Sequence, residues 1–509
     1  MTGLKLPDQV RIGAFFLETL TTGMYEDPFH CIREYVQNAF DAIRDARAAD
    51  QLPVDGGRIA VAIARKAGRA SVSIRDDGTG IPTAEVTDRL ISLGSSTKRP
   101  MQHAGFRGIG RLAGIAYCTT LRFTTTAANE TTASVVEFDC GRLRGDMQPG
   151  ARPQPVSDVL KRAITLKELP AKAADHYTLV EMETLVNEGE QFVEEGGGKL
   201  LAYLREHSPV DYANEFSFAT KVKQHLAQSG IALPIVDVEL KHGRERTAVL
   251  KPYRDVYGAP EEAETKRSKL TGIMPIGMKE HGWSGWIGQS NFPGEIQDET
   301  VAGLRFRMKN IQIGDEGIIE RIMGTLSAKS DRRLARWMVG EIFIDNPKVV
   351  PNARRDGFEE GADWQKIKSD LLAITGNVAK TIRNTSTRRN RLIKIDKALA
   401  ETQGKITSFK GRATKNAKLE VEDELKAQLT AIDKALKGGS HPKRTSQLIS
   451  TVKELQESLQ KVQVMTPDDR EISLKGAVSA VRAVLKDELD PKPAALVGDK
   501  IEAALKRLP

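Results

Sequence analysis

A chain of 509 residues exceeds what one hydrophobic core organises and is expected to divide into two to four domains. Its 40% hydrophobic and 28% charged composition excludes global disorder. With no run of about eighteen apolar residues and no apolar leader in MTGLKLPDQV, the expectation is a cytoplasmic protein without a membrane partner.

In chain order, Asp27-Pro28 supplies a cap and a first-turn proline for a helix over "CIREYVQNAFDAI". Ile32, Val36, Ala39 and Ile43 form its apolar stripe, and Glu34, Asn38 and Asp41 fall within about 60° of one another on another face. Alternation at Ile59, Val61 and Ile63, a turn near Lys66-Ala67-Gly68, and alternation at Val72 and Ile74 predict a β-hairpin running into Asp76-Asp77-Gly78-Thr79-Gly80. Helical spacing over 84–93 precedes Gly94-Ser95-Ser96-Thr97-Lys98, and "GFRGIGRLAGIAYC" reads as a glycine loop entering a helix. Strands near 119–125, 133–139 and 177–183 complete an α/β sandwich over 1–195. Strand-like "FSFATKV", "PIVDVEL", "LRFRMKNIQI" and "VGEIFI" mix with helices in a second α/β domain, 205–360. Residues 361–509 read as helical and coiled-coil-like, with an antiparallel hairpin near 421–465 and a last helix pair delimited by Thr466-Pro467 and Asp490-Pro491. Cys31, Cys118 and Cys140 form no CxxC pair or zinc spacing and are expected as reduced thiols.

The chemistry sits in the polar runs. A D-x-G-x-G at a strand end allows close ligand approach and places one carboxylate where an amine can donate to it. Glycines opening a helix, as in Gly105-Phe106-Arg107-Gly108-Ile109-Gly110, free backbone N–H groups at a positive dipole end and make an anion cradle. That loop lacks the GK[ST] of a P-loop and does not begin a βαβ unit.

E-x3-N-x2-D on a helix, D-x-G-x-G after a strand, a Ser/Thr/Lys segment and G-x2-G-x-G, in this order over about residues 10–190, resemble the Bergerat fold of the GHKL ATPases. That superfamily includes gyrase B, the ninety-kilodalton heat-shock chaperones, histidine kinases and MutL. The resemblance implies an ATPase using ATP and Mg2+, with Glu34 as general base and Asn38 as magnesium ligand. Asp41 would line the nucleotide site, and Asp76 would read the adenine amino group beside Gly78 and Gly80. It also implies that Thr97, Lys98 and the loop Gly105, Phe106, Arg107, Gly108, Ile109 and Gly110 hold phosphates. Thr178, in "HYTLVEM", would support the adenine-reading aspartate.

Asn352-Ala353-Arg354-Arg355 is similar to the N-x-x-R segment from which the chaperones bring an arginine to the phosphates; MutL- and MORC-like proteins bring a lysine from the second domain instead. Arg355 is the candidate arginine, with Arg354 the alternative. The expected function is an ATP-dependent molecular clamp, heat-shock protein 90-like, dimeric through nucleotide-gated or helical contacts and acting on a protein client. The alternative is a DNA-associated MutL- or MORC-like clamp in genome maintenance or anti-phage defence. It is favoured by residues 381–420, whose eleven Lys/Arg against three acids equal the chain's whole net charge of +8. A third reading, a nucleotide-binding scaffold without turnover, is opposed by Glu34.

Overall fold

The computed structural model describes residues 13–21, 27–92, 110–148, 150–152, 154–258, 267–325, 331–436, 442–488 and 491–505. The chain forms two compact units, Met1–Ile382 and Arg383–Pro509. The architecture is mixed α/β with a helical C-terminal region, the class expected from the sequence. Among the described residues no helix is long and apolar enough to cross a membrane.

Among the described residues the first unit holds two sheets. One is built from β1 (Arg58–Lys66), β2 (Arg69–Asp76), β3 (Cys118–Thr126), β4 (Thr132–Asp139), β5 (Ile164–Pro170), β6 (Tyr177–Leu185), β7 (Asp237–His242) and β8 (Glu245–Ala248). Their order is β5-β4-β3-β6-β2-β1-β7-β8, antiparallel throughout except for β1 against β7. Ile59, Val61, Ile63, Val72 and Ile74 are buried while the residues between them are not, so each strand turns one face to the core, as its alternation requires. Helices α1 (Phe15–Thr21), α2 (Phe29–Ala48), α3 (Cys140–Met147), α4 (Val156–Ala163) and α5 (Gly198–His207) contribute to the same core. All three cysteines are buried free thiols.

After α6 (Ala219–Gln228) the second sheet follows: β9 (Val256–Tyr257), β10 (Ser268–Met278), β11 (Trp283–Ser290), β12 (Gly303–Met308), β13 (Ile311–Ile313) and β14 (Val339–Ile344). The order is β13-β12-β14-β11-β10-β9. Helices α7 (Gly317–Met323), α8 (Asp331–Leu334) and the first turns of the 47-residue α9 (Ala362–Ser408) accompany it. Separate apolar clusters lie on its two faces, one around Trp283 and Phe306, the other around Trp286 and Phe343.

A carboxylate sits inside this sheet. Glu341 is fully buried and accepts from Lys251 at 3.0 Å, from Trp286 Nε1 at 3.2 Å, and from Arg307 and the Tyr212 hydroxyl. Burial pushes its carboxyl up, but Lys251 and Arg307 outweigh that and hold it below the usual carboxylate range. Arg307 also donates to Asn310 O at 3.0 Å, and Asn310 Nδ2 donates to Val210 O at 3.2 Å and Pro234 O at 3.0 Å. The two-residue β12–β13 turn, Lys309-Asn310, is therefore anchored on both sides, and Ile311 beyond it joins the core of the first sheet.

In the second unit the remainder of α9 packs through Leu392, Ile395 and Leu399 with α10 (Lys415–Leu436) and α11 (Pro442–Gln460). A short parallel pair, β15 (Arg412–Ala413) and β16 (Gln463–Val464), closes that bundle, and α12 (Pro467–Glu488) pairs with α13 (Pro491–Leu505).

Several local expectations are corrected. "FSFATKV" is not a strand: Val222 and Leu226 bury one face at i, i+4 spacing, and α6 forms instead. "LRFRMKNIQI" is two strands, because Lys309 and Asn310 take positive φ (51° and 65°) and reverse the chain. "PIVDVEL" supplies β7 to the first sheet. The helix after the glycine loop, Gly110–Ala116, is a 3-10 helix.

Candidate active site

Helix α2 is the centre of the site. Asp27 Oδ1 accepts from Phe29 N at 2.9 Å and starts it, and its polar side is interior: Glu34 is 6% exposed, Asp41 is fully buried and Asn38 is half-buried. The Tyr35 hydroxyl accepts from Gly114 N at 2.9 Å and donates to Arg111 O at 3.0 Å, fixing the 3-10 helix that begins at Gly110. A Cβ at residue 110 would stand 2.1 Å from Glu34 Oε2, so only glycine lets the backbone approach this carboxylate.

Asp76 ends β2 and is buried. Its Oδ1 accepts from Gly78 N at 2.9 Å, and burial raises its carboxyl to about 7 against the lowering effect of the Gly78 amide. Thr178 is its register partner on β6, and the Thr178 and Thr125 hydroxyls lie 3.1 Å apart. Asp77 turns away and accepts from Arg58 N at 2.6 Å. Gly80 has φ +64°, and a Cβ there would lie 1.9 Å from Thr126 O. Gly78 also receives a contact absent from the sequence reading, His176 Nδ1 at 2.8 Å from its carbonyl oxygen.

Two turns that adjoin the second sheet, one after β14 and one between β12 and β13, approach α2. Arg355, 6% exposed with φ +58°, places Nε 3.2 Å from Glu34 Oε1. Arg354 is exposed, and its carbonyl accepts from Arg33 Nη2 at 3.1 Å. Asn352 O accepts from Arg355 N at 3.1 Å, and Asn352 Nδ2 donates to Asp356 Oδ1 at 2.6 Å, so the N-x-x-R segment is a closed turn presenting Arg355 inward. The second approach is the Lys309-Asn310 turn. Burial lowers the Lys309 ammonium to about 8; Asp41 and Asp345 favour its charged form, while Arg44 and Arg355 oppose it.

The structure thus brings together Glu34, Arg355 and Gly110, and separately Asp76, Gly78 and Thr178. Thr97, Lys98, Gly105, Phe106, Arg107, Gly108 and Ile109 lie outside the described residues. Lys309 and Arg33 escaped the sequence reading. The signal for Lys309 was the Lys-Asn pair interrupting an apolar alternation, a hairpin cue; Arg33 had none.

Residues 25–162 match the family described as histidine kinase-, DNA gyrase B-, and HSP90-like ATPase. This segment is of the GHKL ATPase type. Binding and hydrolysis of ATP that drive conformational change follow from that assignment. A search of curated proteins finds no match to the chain. Thr178, Lys309 and Arg355 all lie beyond the matched segment. Asn38, half-buried on the polar side of α2, carries one hard amide oxygen of the kind Mg2+ accepts.

Proposed function

We propose that the protein is an ATP-driven molecular clamp of the heat-shock protein 90-like kind, in which the second sheet completes the ATPase site. The observation that carries this reading is the buried Glu34–Arg355 pair, a carboxylate of α2 joined to the arginine of an N-x-x-R turn. Glu34 orients and deprotonates the attacking water, and Asp76 accepts from the adenine amino group. Asn38 holds Mg2+, which when bound would neutralise phosphate charge, and Gly110 closes the phosphate cradle. Arg355 exchanges its bond to Glu34 for the transferring phosphoryl group, offsetting charge there while releasing the carboxylate to act as base. Nucleotide state is thereby coupled to the position of the second sheet, and a homodimer acting on a protein client is the form in which such coupling does work.

A second reading has its own support. Lys309 comes from the second sheet to the Asp41 side of α2, the kind of lysine contribution that MutL- and MORC-like clamps make. Glu34→Ala tests the proposal at its base: nucleotide affinity is retained and hydrolysis is lost by at least about 10²-fold. Parental turnover in that variant would remove Glu34 from the chemistry.

A further inference from the structure

We infer that the exposed ridge of α9 in the second unit is a binding surface for double-stranded DNA. The structural boundary partitions the chain's charge sharply. Residues 383–509 hold 26 Lys/Arg and 17 Asp/Glu, a net +9, whereas residues 1–382 hold 50 and 51, a net −1. All of the chain's excess positive charge therefore belongs to a unit that contains none of the ATPase residues.

Within that unit the cations are ordered along one helix. Leu392, Ile395, Leu399 and Ile406 face the core. At 100° per residue, Arg383, Arg391, Lys394, Lys397 and Lys405 fall within about 120° on the other side, and all five are exposed. At 1.5 Å per residue the ridge is about 33 Å long, roughly one turn of duplex. One acid, Glu401, lies on it, 3.9 Å from Lys397, and Lys405 is shared with Glu424 and Glu420 of α10. Arg391 and Lys394 carry no ion pair among the described residues, and Lys410 and Lys415 extend the positive surface where α9 turns into α10.

The chemistry of the face selects the polyanion. The apolar side of α9 is consumed by its own core, leaving Ile393 as its exposed large apolar side chain, too little to seat a helix in a lipid interface. Single strands are held by stacking on aromatic rings, but the one aromatic residue of 383–509, Phe409, packs against the core. A straight row of cations without stacking or inserting groups suits the regular phosphates of a duplex and reads no sequence.

The test uses the full-length chain without nucleotide and a labelled 30-base-pair DNA, followed by anisotropy between 50 and 200 mM KCl. If the ridge neutralises four or five phosphates, the log–log salt slope is about −4 and affinity falls by about two to three orders of magnitude over that range. Replacing Arg391→Gln, Lys394→Gln and Lys397→Gln together lowers the slope by about 2.7 and leaves ATP turnover and far-ultraviolet circular dichroism at parental values. The same number of cations removed elsewhere in the unit, Lys453→Gln, Lys461→Gln and Lys500→Gln, leaves the slope within about 1 of the parent. No duplex binding at 50 mM salt would overturn the inference. So would an unchanged slope in the ridge variant, equal losses in both triple variants, or binding confined to single strands or to phosphatidylserine vesicles. The surface belongs to the second unit alone, so any of these failures leaves the ATPase reading standing.

Discussion

Asp76→Asn separates function from stability in one residue. The Asp76 carboxyl is buried and raised to about 7 from an ordinary 3.8, chiefly by loss of solvent. The folded-state value lies above the unfolded one, so folding takes up a proton between about pH 4 and 7, and stability falls as pH rises through that window. The shift of roughly three units, at 1.36 kcal/mol each, sets a ceiling of about 4 kcal/mol on the cost of ionised Asp76 above pH 7. Asparagine keeps an oxygen to accept from the Gly78 amide but carries no charge. The variant should therefore be more stable than the parent by about 2–4 kcal/mol at pH 8, with the difference shrinking toward zero near pH 4. Urea unfolding of both proteins at several pH values measures this. Calorimetric titration with ATP should show binding lost, because the amide presents a donor toward the adenine amino group. Unchanged stability at pH 8 would refute the buried-charge argument, and parental ATP affinity would refute adenine recognition by Asp76.

Substitutions at two further positions probe the approaches to α2. Lys309→Ala should lower kcat by about 10–10²-fold. In the parent, kcat/KM for ATP should decline as pH rises through about 8, where the Lys309 ammonium loses its charge, and Lys309→Arg should move that limb beyond pH 10. A profile identical in parent and Lys309→Arg would detach this residue from the phosphates. Gly110→Ala sets a methyl where the Glu34 carboxylate stands, 2.1 Å from Oε2, and should cut turnover by at least about 10²-fold. Full activity would mean that the carboxylate has a second productive position.

How much of this was legible depends on the range over which each signal acts. The helix, the hairpin and the D-x-G-x-G turn are written in local periodicity and glycine placement, and Ile59, Val61, Val72 and Ile74 face the core as their alternation requires. The polar stripe Glu34/Asn38/Asp41 was visible, but not the burial of Glu34 and Asp41, because the sequence does not show that Gly110 and Arg355 come up against Glu34. Arg355 was found by its motif, while its inward orientation depends on the closed turn around Asn352. Lys309 was hidden by the reading of residues 304–313 as one strand. Glu341 was hidden more thoroughly: a charge in the apolar run "VGEIFI" looks like a solvent-facing position, and only tertiary partners from β11, β12 and the segments near Tyr212 and Lys251 make it a core residue. "FSFATKV" failed because three alternating residues do not distinguish a strand from the lead-in to a helix.

The central claim is that α2 and the turn after β14 contribute to one ATPase site, and the most direct measurement compares ATP turnover and nucleotide affinity in Arg355→Ala and Arg354→Ala. Arg355 is buried against Glu34 and Arg354 is exposed. Arg355→Ala should therefore lower kcat by at least about 10²-fold with the ATP Kd within about threefold of the parent, and Arg354→Ala should stay near parental turnover. Parental kcat in Arg355→Ala, or the larger loss in Arg354→Ala, would contradict it.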